Sequence, residues 1–230
     1  MGSSPRGDVD ETAAAPETRA ERRDRATVDT RASILAAARA RLLAGGYANL
    51  STRAVAEEAE VPLSQIHYHF GSRQQLILAI LEAENARLLE RQRRMFIGPE
   101  PLWKQWDRAC DFLEEDLESG YVRVLQEMVA AGWSDPEVAT AVRVFLGGWY
   151  RLLAEVAGHA AERIQGGLGP FSPDEVGALM GLPFLGAESV ILLGFSEADL
   201  PARSALRKIG MVIRSIEEGP RAIAAEENGR

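Results

Sequence analysis

The chain has 230 residues, 46% of them hydrophobic and 26% charged, with a formal net charge of −8. That is enough for one large domain or two modest ones with real cores, and neither an N-terminal apolar leader nor an uninterrupted apolar run of about 18 residues is evident, which argues against a signal peptide and a membrane span. The single cysteine, Cys110, excludes an intramolecular disulfide or a multi-cysteine metal site, and reads as a small buried side chain in a reducing, cytoplasmic setting.

The acidic balance is uneven. Residues 1–29 carry five Lys/Arg against seven Asp/Glu, residues 30–95 nine against six, and residues 96–230 twelve against twenty-one. A positive stretch suited to phosphate thus sits beside an acidic remainder that discourages non-specific polyanion contacts. Residues 1–28 have almost no large apolar side chains and read as a disordered tail. Arg19, Arg22, Arg23 and Arg25 lie there, interrupted by Glu21 and Asp24, and read as solvated charge sooner than as a DNA contact.

From Asp29 the spacing turns helical, with Ile34, Leu35, Ala38, Leu42 and Leu43 on one face and Gly45-Gly46 as the stop. Ser51 is a suitable N-cap for a second helix that buries Val55, Ala56 and Ala59. Pro62 opens a short third helix. Ser72-Arg73-Gln74-Gln75 is a capping box at the head of a long fourth helix with Leu76, Ile77, Ile80, Leu81 and Leu88 inside, stopped by Gly98-Pro99. Further helices are expected over 103–118, 121–131 and about 135–165. The last of these opens on Asp135-Pro136-Glu137 and contains the costly pair Gly147-Gly148. Ser172-Pro173-Asp174-Glu175 caps another helix, with Pro183 as a kink, and Pro201 opens the last. No strand-like alternation appears, so the expected fold class is all-α.

The third helix is too polar and too aromatic to be only a core element. Val55, Ala59, Val61, Ile66 and Phe70 supply a buried side against Leu35 and Leu42. The remaining residues suit a helix lying in a DNA groove. Gln65 has the donor–acceptor pair to read adenine, and Leu63 suits a thymine methyl. Thr52, Arg53, Ser64, His67, Tyr68 and Arg73 offer donors for phosphate oxygens. His67 and His69 point about 200° apart on a helix, so they do not share a metal, and no acid or cysteine completes such a site. No cofactor is expected.

The run Ile66-His67-Tyr68-His69-Phe70-Gly71-Ser72-Arg73, with Ser51-Thr52-Arg53-Ala54-Val55-Ala56 before it, resembles the DNA-binding segment of TetR-family transcriptional regulators. The resemblance covers roughly residues 30–80. It implies an N-terminal three-helix DNA-binding domain with a helix-turn-helix, and a C-terminal helical domain that binds an inducer and dimerises. Two positions depart from the family pattern. Glu60 stands where glycine is usual, so the turn is expected to be strained or differently shaped. His67 stands where tyrosine is usual, with Tyr68 next to it.

Twelve of the fifteen aromatic residues lie beyond residue 95. Ordinary helical core accounts for most of them, but an apolar pocket with a few polar groups would use the same residues. The expected lining is Trp103, Met128, Phe145, Trp149 and Phe184, with Glu188 or Gln126 as polar anchor. Glu188 is equally open to an exposed, an interfacial or a pocket-lining position. The last two helices carry Val190, Ile191, Leu192 and Leu193, then Leu206, Ile209, Met211, Val212, Ile213 and Ile216. This exceeds one internal face and predicts a four-helix dimer interface.

The expected organisation is a tail over 1–28, a helix-turn-helix domain over 29–75, a connecting helix over 76–97, a ligand-binding and dimerisation domain over 98–219, and a tail over 220–230. The function that follows is a homodimeric regulator, more a repressor than an activator, released from pseudo-palindromic double-stranded operator DNA by a small, largely apolar effector. The alternative is a DNA-binding protein whose C-terminal domain only dimerises. Nothing has the pattern of a nucleophile–base pair, a phosphate loop or a metal motif, so no catalytic residue is expected.

Overall fold

A computed structural model describes residues 18–164 and 167–218. Among the described residues every regular element is helical: α1 (Arg19–Gly45), α2 (Thr52–Glu58), α3 (Leu63–Phe70), α4 (Arg73–Phe96), α5 (Leu102–Glu118), α6 (Tyr121–Gly132), α7 (Pro136–Arg163), α8 (Pro173–Leu192) and α9 (Ala202–Glu218). The all-α expectation holds. The helix α1 begins ten residues earlier than expected, so residues 19–28 are helical backbone rather than tail. The side chains of the Arg19–Arg25 cluster, and the expected C-terminal tail over 220–230, lie outside the described residues.

Local chemistry sets the helix boundaries. Ser51 Oγ accepts from Ala54 N–H at the start of α2, and Ser72 Oγ accepts from Gln75 N–H at 3.1 Å at the start of α4. Only half of that second capping box forms, because the Gln75 side chain binds Glu137 instead. Asp135 Oδ1 accepts from Glu137 N–H at 2.9 Å and Val138 N–H at 3.2 Å, opening α7. At α8 the Ser172–Glu175 box is complete in both directions.

Two cores result. The first joins Ile34, Ala38 and Leu42 of α1 to Val55, Ile66, Phe70, Leu76, Ile77 and Ile80, and takes in Val124, Met128 and Val138 from α6 and α7. The N-terminal head therefore shares its core with the second half of the chain. The other core gathers Trp106, Leu113, Val122, Leu153, Met180, Phe184 and Leu206. The most extensive helix pair is α7 with α8. Small residues make that approach possible: a Cβ on Gly177 would stand 2.7 Å from the Ala154 backbone nitrogen.

The segment Pro173–Leu192 meets the length and hydropathy of a membrane span, where the sequence reading found none. In the fold it is a half-covered helix. Gly177, Met180, Gly181, Phe184, Ala187 and Glu188 face inward, while Leu179 and Leu182 are exposed. The helix α9 divides likewise, with Leu206, Ile209 and Ile213 turned to the core and Met211, Val212 and Ile216 outward. The surplus apolar face expected from the sequence exists. Ile191, Leu206, Ile209 and Ile213 do not belong to it, because they fill the chain's own core.

Candidate nucleic-acid interface and interior cavity

The reading head is built around α3. Ile66 is fully buried and Phe70 nearly so, which fixes the inner side of the helix. The guanidinium of Arg31 lies over the Phe70 ring at 5.1 Å. One helical turn separates Ser64 from His67 and Tyr68, and all three are exposed on the outer side. Tyr68 is 74% exposed, an unusual state for a tyrosine with no surface partner other than the edge of His69, 5.0 Å away. Gln65 is half-buried on the shoulder of this face. Leu63, expected to meet a thymine methyl, packs partly against the head's core. Thr52 and Arg53 stand at the start of α2, half-exposed and exposed.

Two of the expected phosphate donors hold structure within the head. His67 Nδ1 lies 3.1 Å from the Gly71 carbonyl, a bond in which the ring donates at the end of α3. Arg73 turns inward. Its Nε donates to Leu50 O at 2.7 Å, its Nη2 donates to Tyr47 O, and the guanidinium covers the Tyr47 ring at 5.0 Å. It ties the loop before α2 to the head of α4.

Glu60, between α2 and α3, has φ +55°, the only positive φ of a non-glycine among the described residues. A side chain in that region is strained, so the turn is left-handed at Glu60, as the sequence led one to expect of a non-glycine there. Glu60→Gly is expected to stabilise the protein by about 1 kcal/mol, since glycine removes the clash but adds unfolded-state freedom. A denaturant midpoint that stays put or falls would contradict this.

The head is gripped from behind at several points. Arg123 Nη2 of α6 donates to Leu43 O at 2.5 Å, and Glu127 of α6 accepts from Tyr47 N–H. Gln74 Nε2 donates to Asp135 and Glu137 of the α7 head, each at 3.0 Å. Glu84 of α4 is buried. Burial opposes its charge, but Arg39 of α1, at 2.5 Å, and Arg87, at 3.0 Å, outweigh it and hold the carboxyl below its usual range. The helices α4 and α6 both carry the connection, where sequence alone suggested α4.

Behind those contacts is a cavity of about 70 Å³ enclosed by α4 to α8. Phe145, Trp149, Phe184 and Glu188 line it, as expected. Gln126 supports it from outside, donating to Glu188 Oε2 at 2.8 Å and accepting from Ser189 Oγ at 2.8 Å. The other two expected lining residues lie elsewhere. Trp103 faces the end of α9, where its Nε1 donates to Glu218 at 3.0 Å beneath Arg214. Met128 is fully buried in the head's core and lines an adjoining space toward the head. The residues that replace them are Asn85 and Gln92 of α4, Trp106, Phe112 and Asp116 of α5, and Tyr121 of α6.

The cavity is rich in polar groups that the apolar walls isolate. Glu188 is 9% exposed, and burial pushes its carboxyl up to about 7 although the Gln126 hydrogen bond works the other way. Burial also raises Asp116, against the pull of Arg91 at 2.5 Å. The Tyr121 hydroxyl and Asn85 Oδ1 are buried without a hydrogen-bond partner. Cys110 lies buried on α5, and burial pushes its thiol up to about 11, far from reactive.

A trihelical head with an exposed polar third helix, set on a larger helical body with its own cavity, is a helix-turn-helix architecture. Residues 34–80 match the bacterial regulatory proteins of the tetR family. Solved structures of similar fold include a TetR transcription regulator from Haloarcula marismortui (18% identity, covering 81% of this chain and 96% of that one, TM-score 0.66). Others are a TetR-family regulator from Agrobacterium tumefaciens (16% identity, 83% and 98%, TM-score 0.65) and a Saccharomonospora viridis protein in complex with choline (19% identity, 79% and 95%, TM-score 0.61). No curated protein matches the chain. The family match is thus to the N-terminal head, residues 34–80, and beyond it the likeness to these solved regulators is one of fold.

Proposed function

We propose that this protein is a cytoplasmic homodimeric repressor that leaves a pseudo-palindromic operator when a small organic ligand enters the interior cavity. The observation that carries this reading is the double duty of α6. The helix lines the cavity with Tyr121, Val122 and Leu125, and two positions further round it holds the end of α1 with Arg123 and Glu127. A ligand that displaces α6 by a fraction of an ångström pulls on the head through two hydrogen bonds. Similarity to a fold neighbour in complex with choline supports a small-molecule effector for this chain.

In this reading Ser64, Gln65, His67 and Tyr68 meet DNA, with Thr52 and Arg53 on the flanking phosphates. Gln65→Ala is expected to relax preference at one base pair and to cost about 1–3 kcal/mol of operator affinity, measured on duplexes selected from a random pool. The effector arm is tested by screening small molecules for thermal stabilisation. A true effector must lower operator affinity by the same factor by which operator lowers its own affinity. A stabilising ligand with no effect on DNA binding would refute the release mechanism.

One observation favours the alternative, a C-terminal domain that only dimerises. The cavity, at about 70 Å³, is smaller than the roughly 300–1,000 Å³ of ordinary ligand sites. A second space of about 430 Å³ adjoins it toward the head, and Asn85, Leu125 and Phe145 line both. The three shared side chains are where a ligand would extend the site from one space into the other.

A further inference from the structure

Resting on the ligand-release reading, we infer that the cavity selects an organic cation, an amine or quaternary ammonium carried on an apolar frame, and that Glu188 is its counter-ion. The walls supply the faces a cation needs. Trp106 and Trp149 lie 5.1 and 6.4 Å from the Phe184 ring, and the Tyr121 and Phe145 rings are 6.3 Å apart across the lining. Aromatic faces attract cations, most strongly where water is excluded.

The charge balance of the lining points the same way. Asp116 already has its cation, Arg91. Glu188 has no ion-pair partner among the described residues, and its hydrogen-bond partner Gln126 is neutral. The other titratable groups that act on it are Asp116 of α5, Tyr121 of α6 and Tyr150 of α7, all acidic. A buried carboxylate facing only acids and neutral groups is costly when empty and is satisfied by a ligand that brings a positive charge. The unpartnered Tyr121 hydroxyl and Asn85 Oδ1 add acceptors for an N–H or a polarised N–CH₃. An anionic ligand would meet Glu188 directly and is disfavoured.

The site also couples binding to protons. Glu188 titrates at about 7 in the empty protein, so a cation binds best when the carboxyl is ionised. Affinity for a permanent cation therefore rises with pH across neutrality, and binding releases a proton.

The test uses benzyltrimethylammonium and its uncharged isostere neopentylbenzene, titrated against the full-length protein while tryptophan emission is followed, with Trp106 and Trp149 as reporters. The expected result is binding of the cation at least tenfold tighter than the isostere at pH 8. Glu188→Gln should remove most of that preference while leaving the isostere unchanged. In the wild type, cation affinity should fall about tenfold from pH 8 to pH 6 and isostere affinity should not move. This pH series does not depend on the variant folding. Equal affinity for the two probes, or a preference that survives Glu188→Gln, overturns the cation assignment and leaves the ligand cavity standing. Binding of neither probe overturns both.

Discussion

Val212→Glu is expected to convert the protein to a monomer and to lower operator affinity by at least a hundredfold. Val212 is 58% exposed on α9, beside Met211 and Ile216, while Leu179 and Leu182 are exposed on neighbouring α8. Five large apolar side chains on two adjacent helices form a face that the chain's own core does not use. In a two-fold interface the same patch meets itself, so each new carboxylate approaches its symmetry mate in an apolar seam. An uncompensated charge buried in this way costs about 3–5 kcal/mol, roughly a thousandfold in dissociation constant. Each monomer then engages one half-site alone. The fold itself should survive, because Val212 belongs to neither core. Leu206→Glu, a few residues away and buried in the core, should instead unfold the protein. Sedimentation and circular dichroism separate the two effects. A Val212→Glu protein that stays dimeric with full operator affinity would move the interface elsewhere.

The second large effect is a pH-dependent stabilisation by Glu188→Gln. Below about pH 4.5 the carboxyl is protonated in both folded and unfolded chains, and it contributes no pH dependence. Between 4.5 and about 7 the unfolded chain ionises while the folded chain holds the proton, so stability falls as pH rises. Above 7 both states are ionised and the full penalty remains, about 3 kcal/mol for a shift of this size. Glutamine keeps the shape and the contact with Gln126 and cannot ionise. The variant should therefore match wild type at pH 4 and exceed it by about 2–3 kcal/mol at pH 8, read from chemical denaturation at the two pH values. A gain of equal size at both would mean that packing, not charge, is responsible.

The parts of the fold legible in the sequence were those with local causes. Caps at Ser51, Ser72, Asp135 and Ser172 announce four helix starts because side chain and backbone partner are three or fewer residues apart. The inward side of α3 follows from the spacing of Ile66 and Phe70. The start of α1 was missed because its first turns are charged and alanine-rich, with no apolar stripe to mark them. Trp103 lies away from the cavity, and composition gives no sign of that, because it counts aromatic side chains without saying which part of the interior they enter. The cavity was half legible. Its walls come from five helices, so Asp116 and Tyr121 carry no local sign of it. Asn85 and Gln92 did carry one: they interrupt the stripe Leu81, Asn85, Leu88, Gln92 on the inner face of α4. Arg73 shows how long-range contacts escape a local reading. Its position suits phosphate, yet two carbonyls and a ring reached from 23 and 26 residues away claim it.

The central claim, that the exposed side of α3 reads a specific operator as part of a dimer, is tested most directly by comparing affinities at one salt concentration. The wild-type protein is titrated with its best duplex selected from a random pool and with random duplex of the same length. The account predicts a selected site with two inverted half-sites, bound at least about a thousandfold more tightly than random DNA. Equal affinity for the two duplexes, each falling alike with added salt, would contradict it.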